Sequence, residues 1–199
     1  MYDYIKGELA SVSPTQVVVD ISGIGYLLNI SLFTFGALEG KKESKLYVHQ
    51  IVREDDLQLY GFDTVFERFI FSNLLSVSGI GPNTARIVLS YMSPEETRDA
   101  ILQENEFAFK KVKGVGPKTA KRLIIDLKDK MMKLGGDSSS AQSTVKTTPN
   151  NIHSEALSAL QALGFVKAKV NKVVNSIIQQ ANPPETVEEL IKKALKELS

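Results

Sequence analysis

The sequence predicts an α+β protein of several domains: a five-stranded β-barrel, an all-helical domain, and a small three-helix domain on a tether. Three observations lead to this prediction. Short segments rich in β-branched and aromatic residues, separated by turn residues, fill residues 1–63. From residue 64, apolar residues recur every three or four positions, as in amphipathic helices. Residues 135–151 contain almost no apolar side chain and separate the last segment, 152–199, from the rest.

The first domain, residues 1–63, is expected to contain five strands. Their predicted bounds are Tyr4–Ala10, Gln16–Ile21, Gly25–Ile30, Ser44–Val52 and Leu57–Gly61. Turn residues such as Ser-Pro-Thr at 13–15 and Ser-Gly-Ile-Gly at 22–25 separate the first three strands. Five short strands in this length indicate a small closed barrel of the OB type. A small sandwich or an SH3-like barrel would fit the same pattern.

The second domain, residues 64–134, contains one short pattern twice, 35 positions apart. Gly-Ile-Gly-Pro-Asn-Thr-Ala lies at 79–85 and Gly-Val-Gly-Pro-Lys-Thr-Ala at 114–120. The glycines permit a tight turn with positive φ, and the proline suits the first position of the following helix. Ile80 and Val115 are expected to hold each turn between its two helices.

Such a turn exposes amides at a helix N-terminus, where a phosphate binds. This is the helix-hairpin-helix pattern. A single copy would equally suit a plain helix–helix turn, but two copies predict contact with the backbone of a DNA duplex. Residues 110–133 add nine basic and two acidic side chains, in a chain whose net charge is only +1. A basic stripe of this kind is typical of a nucleic-acid face.

A separate helix connects the two hairpins. Ser-Pro-Glu-Glu at 93–96 has the spacing of a capping box with proline at the first helical position, so a helix is predicted to begin at Pro94.

The third domain, residues 152–199, follows a predicted flexible linker over 135–151. Its first helix should end at Gly164, its second should cover Val166–Ile178, and its third should begin after Thr186. A unit of about 48 residues cannot bury all of its apolar side chains, so an exposed patch for a protein partner is expected. The predicted partner-binding residues are Leu160, Leu163 and Leu195.

Several function classes find no support in the sequence. The chain has no cysteine, which excludes disulfides and thiolate metal sites. It has no secretory signal and no apolar run long enough to cross a membrane, so a cytoplasmic location without membrane contact is expected. His49 and His153 have no neighbouring ligand set, and no phosphate-binding loop of an ATPase occurs. We therefore predict no catalytic residue, no metal and no cofactor.

An enzymatic alternative is a DNA-repair enzyme of the glycosylase or nuclease type. Glycosylases with this hairpin use a lysine in its helix and an aspartate about 18 residues later. Lys118 and Asp137 have nearly that spacing, but Asp137 lies in Gly-Gly-Asp-Ser-Ser-Ser, which is unsuited to hold a catalytic carboxylate in place. A third possibility is a general duplex-binding protein.

An acidic segment, Arg-Glu-Asp-Asp at 53–56, lies between the fourth and fifth predicted strands. Acidic residues are common at hairpin tips. In a DNA-binding protein, however, adjacent carboxylates would also repel phosphates and disfavour plain duplex.

The whole order of parts resembles the RuvA family, whose members recognise Holliday junctions in the bacterial branch-migration complex. The resemblance is carried by Val-Arg-Glu-Asp at 52–55, Leu-Tyr-Gly-Phe at 59–62, the paired hairpins, the Ser/Gly tether and Ala-Leu-Gly-Phe at 162–165. It implies a non-catalytic tetramer, or pair of tetramers, that holds a four-way junction open in recombination, DNA repair and the SOS response. It also implies that the C-terminal domain recruits the hexameric ATPase RuvB, with a junction resolvase in the same complex.

The resemblance also assigns residues. Glu54 and Asp55 match the family's strand-separating acidic pin, and the basic contacts after the second hairpin match Lys118 and Arg122. Asn83 stands where the family's first hairpin often has a lysine. The complete predicted DNA-binding set is Gly79, Ile80, Gly81, Gly114, Val115, Gly116, Lys118, Lys121 and Arg122.

Overall fold

The computed structural model describes residues 2–136, 149–178 and 186–198. The chain divides into two compact units, Met1–Ser139 and Ser140–Ser199. Of the described residues, those in the first unit form the strands and six helices, and those in the second form three helices.

The described residues form five strands: β1 (Tyr4–Val12), β2 (Gln16–Ile21), β3 (Ile24–Ile30), β4 (Glu43–Val52) and β5 (Leu57–Phe62). They close into a barrel in the order β1-β2-β3-β5-β4, which confirms the predicted barrel. Among these five, only β3 and β5 pair in parallel. Apolar residues alternate along the strands, so that one side chain in two points into the barrel.

A short helix between β3 and β4, α1 (Leu32–Leu38), is absent from the sequence prediction. Its seven residues include Gly36, a poor helix former, and they carry no long apolar period. Two tertiary features hold it: the Ser31 side chain caps its N-terminus, and Leu38 is buried in the barrel core. The stability of this helix therefore depends on its packing against the barrel.

After the barrel, residues 65–136 are mainly helical, as predicted. The capping box is present: the Ser93 side chain accepts from the Glu96 amide, and the Glu96 carboxylate accepts from the Ser93 amide. The helices are α2 (Val65–Leu75), α3 (Pro82–Tyr91), α4 (Pro94–Leu102), α5 (Glu106–Lys110) and α6 (Pro117–Gly136).

The barrel has its own hydrophobic core, and its strand β5 also contributes two side chains to the core of these helices. The ring of Phe71, on α2, lies 5.0 Å from that of Tyr60 and 4.8 Å from that of Phe62, both on β5. Tyr60 and Phe62 therefore belong to the helical core although they lie on a barrel strand. The sequence division at residue 63 separates two segments that fold as one unit.

A buried carboxylate also joins them. Glu67 on α2 is completely buried, and it accepts hydrogen bonds from the Ser31 and Thr34 hydroxyls and from the Asp63 amide. Burial raises the pKa of Glu67 above its ordinary value, and the donors only partly oppose this effect. No sequence pattern singles out Glu67, because its role depends on residues brought together by the fold.

The second unit has the three predicted helices: α7 (Pro149–Ala162), α8 (Lys167–Ile178) and α9 (Val187–Leu198). Leu160 is completely buried in their core, so its predicted place in an exposed patch is wrong. It belongs to a cluster with residues of both other helices, which sequence periodicity alone could not establish. Leu195 packs partly buried against the same core, whereas Leu163 is 60% exposed.

The helices overlap both ends of the predicted linker. Helix α6 continues through Gly136 and helix α7 begins at Pro149. The residues between them, 137–148, lie outside the described residues, and with them Asp137 of the glycosylase alternative.

Candidate nucleic-acid interface

The first hairpin is a tight turn between α2 and α3. Val77 and Ile80 are buried, and the Ile80 amide donates to the Val77 carbonyl at 3.0 Å. Gly79 has a φ of 92°, a conformation that glycine adopts readily. Gly81 caps α3 with extended backbone, and Pro82 follows at the first helical position.

The second hairpin, between α5 and α6, repeats this arrangement. Val112 and Val115 are buried, and the Val115 amide donates to the Val112 carbonyl at 3.1 Å. Gly114 has a φ of 93°. The Ala120 amide donates to the Gly116 carbonyl at 2.9 Å, the same distance as between Ala85 and Gly81 in the first hairpin. The repeated pattern thus produces a repeated structure.

The two glycines of each hairpin have different roles. The repeat predicts positive φ for the glycines in general, but among the four only Gly79 and Gly114 have it. Gly81 and Gly116 need no left-handed backbone, and a Cβ on either would meet no atom within 4 Å. They leave an open approach to the helix N-terminus, because each caps its helix instead of making the turn.

The hairpins pack against each other through matching threonines. A Cβ on Gly114 would lie 3.3 Å from Thr84 Oγ1, and a Cβ on Gly79 would lie 3.6 Å from Thr119 Oγ1. Thr84 and Thr119 occupy the same position in the two copies of the pattern. Each threonine therefore lies over the turn of the other hairpin, which fixes the spacing of the two helix N-termini. The repeat contains these threonines, but the sequence alone does not assign them this role.

The backbone amides that are free to bind a ligand lie at the N-termini of α3 and α6. Within the described residues, the amides of Gly81, Asn83 and Thr84 donate no hydrogen bond. The same holds for the amides of the equivalent residues in the second hairpin, Gly116, Lys118 and Thr119. The predicted contacts at Ile80 and Val115 differ from these free amides. The side chains of Ile80 and Val115 are buried and their amides are bonded within the turn, so only their carbonyls are available.

Basic side chains are concentrated at the second hairpin. Lys118, Lys121 and Arg122 are exposed, and none forms a salt bridge in the part of the chain that the structure describes. Lys113, in the turn itself, shares both properties, although it is absent from the predicted set. Cations near a helix N-terminus oppose the helix dipole, and the first turn of α6 has no acidic residue to offset them. A bound anion would relieve this repulsion.

Other lysines of the basic stripe are engaged. Lys110 pairs with Glu106 at 2.8 Å, and Lys128 pairs with Glu104. The basic residues without a salt bridge thus include a group around the N-terminus of α6, made of Lys113, Lys118, Lys121 and Arg122.

The first hairpin carries less available charge. Arg86 donates to the Asn83 side-chain oxygen at 3.0 Å and to the Thr15 carbonyl, on the barrel, at 3.0 Å. This arginine ties the hairpin to the barrel. Asn83 keeps its side-chain amide group as a further donor beside the helix N-terminus.

The acidic segment forms the tip of the β4–β5 hairpin. The Arg53 amide donates to the Asp56 carbonyl at 2.8 Å and closes the turn. Asp56 also accepts from the Gln58 side chain at 2.6 Å, which ties it to β5. Glu54 and Asp55 are exposed and have no side-chain partner among the described residues. The two residues predicted as the acidic pin are thus the unpaired ones.

No candidate metal cluster accompanies these surfaces in the described residues. They contain no group of three or more histidine or acidic side chains that could hold a metal ion. His49 hydrogen-bonds to Ser72 at 3.1 Å, and burial, together with the nearby Arg68 charge, lowers its pKa. His153 hydrogen-bonds to Asn175. Over the described ranges, no helix is both long and apolar enough to span a membrane.

Three family models match the chain. They are described as the RuvA N terminal domain (residues 1–61), a SAM-like helix-hairpin-helix tandem (71–129) and the RuvA C-terminal domain (151–199). The chain is 48% identical to a protein of Bacteroides thetaiotaomicron and 45% identical to one of Bacteroides fragilis. It is 44% identical to one of Christiangramia forsetii. Each alignment covers 100% of both chains, and each relative is named Holliday junction branch migration complex subunit RuvA. These similarities give the glycosylase or nuclease alternative no support.

Proposed function

Because the chain belongs to the RuvA family, we propose that it binds four-way DNA junctions, holds them open and recruits a RuvB-type ATPase for branch migration. Homologous recombination and DNA repair are the processes that produce such junctions. The protein is a non-catalytic subunit in this proposal and acts in the cytoplasm. The motor supplies the energy of ATP hydrolysis.

The observation that supports DNA binding most strongly is the pair of equivalent helix N-termini. Two turns of the same geometry, spaced by Thr84 and Thr119, expose amides, and one of them is surrounded by unpaired cations. Backbone amides and lysines bind phosphates and do not discriminate between bases. The arrangement suits a protein that must hold duplex arms of any sequence.

Selection of a junction over plain duplex is assigned to the hairpin tip. Glu54 and Asp55 have no cation to neutralise them within the described chain, so phosphates approaching the tip are repelled. A continuous duplex places phosphates along its whole length. A junction offers a central opening where the strands diverge, and the tip fits there at lower electrostatic cost.

The second unit is proposed to bind the motor. Leu163 and Val166, on either side of Gly164, are 60% and 68% exposed. Exposed apolar side chains close together suit a protein contact. We retain Leu163 from the predicted partner-binding residues and add Val166. Leu160 is excluded because its side chain is buried. A homotetramer or octamer, and a resolvase in the same complex, complete the proposal.

A gel-shift comparison tests the function directly. The full-length protein is titrated against an immobile four-way junction and against linear duplex of equal length, with the DNA recovered and analysed for cleavage. We expect a clear preference for the junction and intact DNA strands. Equal affinity for both substrates would contradict junction recognition, and nicked or base-free products would support a repair enzyme instead.

The acidic tip has its own test. The double variant Glu54→Gln, Asp55→Asn should fold normally, because both residues are exposed at a turn. Its affinity for plain duplex should rise as the repulsion of phosphates disappears, so its preference for the junction should fall. The matched control exchanges the two acids, Glu54→Asp with Asp55→Glu, because it keeps both negative charges at the tip. If the neutral double variant keeps the wild-type junction-to-duplex ratio, the tip is only a turn.

A further inference from the structure

The β4–β5 hairpin carries two exposed apolar residues immediately behind its acidic tip. Val52 is 66% exposed and Leu57 is 57% exposed. They are direct cross-strand partners, so their side chains lie on the same face of the hairpin. Single exposed apolar residues are common on protein surfaces, but this pair adjoins the two unpaired carboxylates.

The strand register explains why the pair is exposed. Strand β4 pairs with β1 only as far as Tyr47, and β5 pairs with β3 only at Tyr60 and Gly61. Beyond these points β4 and β5 pair with each other alone. The face that carries Val48 and Leu59 into the barrel core therefore continues past the end of the barrel as a two-stranded ribbon.

The charge of the tip determines which part of a DNA ligand can contact this apolar face. Glu54 and Asp55 repel phosphates, so the DNA backbone is the part of the ligand least able to approach. The faces of nucleobases are uncharged and largely apolar, and they become accessible where base pairs open. Apolar side chains are known to act as wedges between base steps.

On the basis of the proposed junction binding, we propose that Val52 and Leu57 form a wedge against the faces of bases that unpair at the crossover. The carboxylates direct the strands away from the tip, and the wedge keeps the released bases from stacking again. Neither side chain can hydrogen-bond a base edge, so the wedge acts on any sequence. Sequence independence is what a moving crossover requires.

The test uses a four-way junction with 2-aminopurine, a fluorescent adenine analogue quenched by stacking, at the crossover. A second junction carries it within one arm, about ten base pairs away. Wild-type protein should raise the fluorescence at the crossover and leave that in the arm unchanged. The double variant Val52→Thr, Leu57→Thr keeps strand propensity at both positions. It should lower the opening equilibrium at the crossover about five-fold, at the low end of base-stacking effects.

Two further variants separate the wedge from a merely structural role. Ile24→Thr, a matched control, alters an exposed apolar residue elsewhere on the barrel, 61% exposed, and should leave the signal unchanged. Leu57→Phe should restore or increase the signal when combined with Val52→Thr, because a ring offers more stacking area. The junction-to-duplex preference of each variant shows that the acidic tip is still formed.

The outcomes are distinct. If the wild-type protein does not prefer the junction, the proposed function fails. If it prefers the junction and the threonine double variant opens the crossover as well as wild type does, the wedge is wrong. The wedge is equally wrong if wild-type binding leaves the crossover fluorescence unchanged.

Discussion

Among single residues, two of the hairpin glycines are expected to matter for stability and the other two for DNA binding. Gly79→Ala and Gly114→Ala should each destabilise the protein by about 1–2 kcal/mol, because an L-residue is strained at their positive φ. Gly81→Ala and Gly116→Ala meet open space, so their loss of stability should stay below about 1 kcal/mol. Their methyl group stands where a phosphate would approach, and duplex affinity should fall. Thermal unfolding and fluorescence anisotropy on the four variants measure both effects, and wild-type affinity in Gly81→Ala and Gly116→Ala would remove these amides from the interface.

The unpaired cations predict a change in salt dependence. Lys118→Ala and Arg122→Ala should each reduce the slope of log affinity against log salt by about 0.9, the value expected when the protein neutralises one phosphate fewer. Lys133→Ala is the control, since Lys133 is an exposed lysine near the far end of the same helix. It lies about 22 Å from Lys118 along the helix axis. An unchanged slope in both test variants, measured by anisotropy over a salt series, would place these residues outside the interface.

At the scale of elements, Glu67 makes the packing contact among α1, β5 and α2 sensitive to pH. Its folded pKa is raised by burial, so the folded protein holds this proton more tightly than the unfolded chain. The stabilisation is therefore complete below the ordinary carboxyl pKa and is lost as pH rises through the raised value. Glu67→Gln should flatten this fall in the free energy of unfolding, measured by urea denaturation across that interval.

Thr34→Val provides the opposite change. The Thr34 hydroxyl donates to the Glu67 carboxylate at 2.7 Å and favours its ionised form. Without it, the folded pKa of Glu67 should rise further and the fall in stability with pH should extend to higher pH. Identical pH profiles in wild type, Glu67→Gln and Thr34→Val would show that this carboxylate does not control the stability of the contact between barrel and helices.

On the scale of the whole molecule, the two compact units suggest a division of labour. A chain ending at Gly136 retains the barrel, both hairpins and all of α6. It should bind the junction as the full chain does, because every proposed DNA contact lies within it, and it should no longer stimulate a RuvB-type ATPase. Junction gel shifts and ATPase assays test the two halves of this prediction. Loss of junction binding, or full stimulation by the truncated chain, would contradict it.

A full-length variant gives the same test without truncation. Leu163→Asp alters a side chain that is 60% exposed, so it should weaken stimulation of the motor and leave junction binding intact. Leu160→Asp places a charge in the core of the second unit and should unfold that unit instead.

Much of the architecture follows from local sequence signals. Local geometry is encoded by the β-branched and aromatic segments of residues 1–63, by the capping box at Ser93 and by the repeated Gly-hydrophobic-Gly-Pro turns. They identify the barrel, the helices and both hairpins without reference to distant residues. The strand-separating role assigned to Glu54 and Asp55 came from resemblance, and it stays a prediction.

What only the tertiary structure decided depends on residues far apart in the chain. Burial of Leu160, the capture of Glu67 by Ser31 and Thr34, and the packing of Thr84 over Gly114 are set by neighbours that no local pattern reveals. Helix α1 exists because the barrel buries Leu38. The exposed pair Val52 and Leu57 continues the apolar pattern of a core strand, and only the register shows that the core ends before it. Sequence determines which face of a strand is apolar, whereas the fold determines where that face is covered.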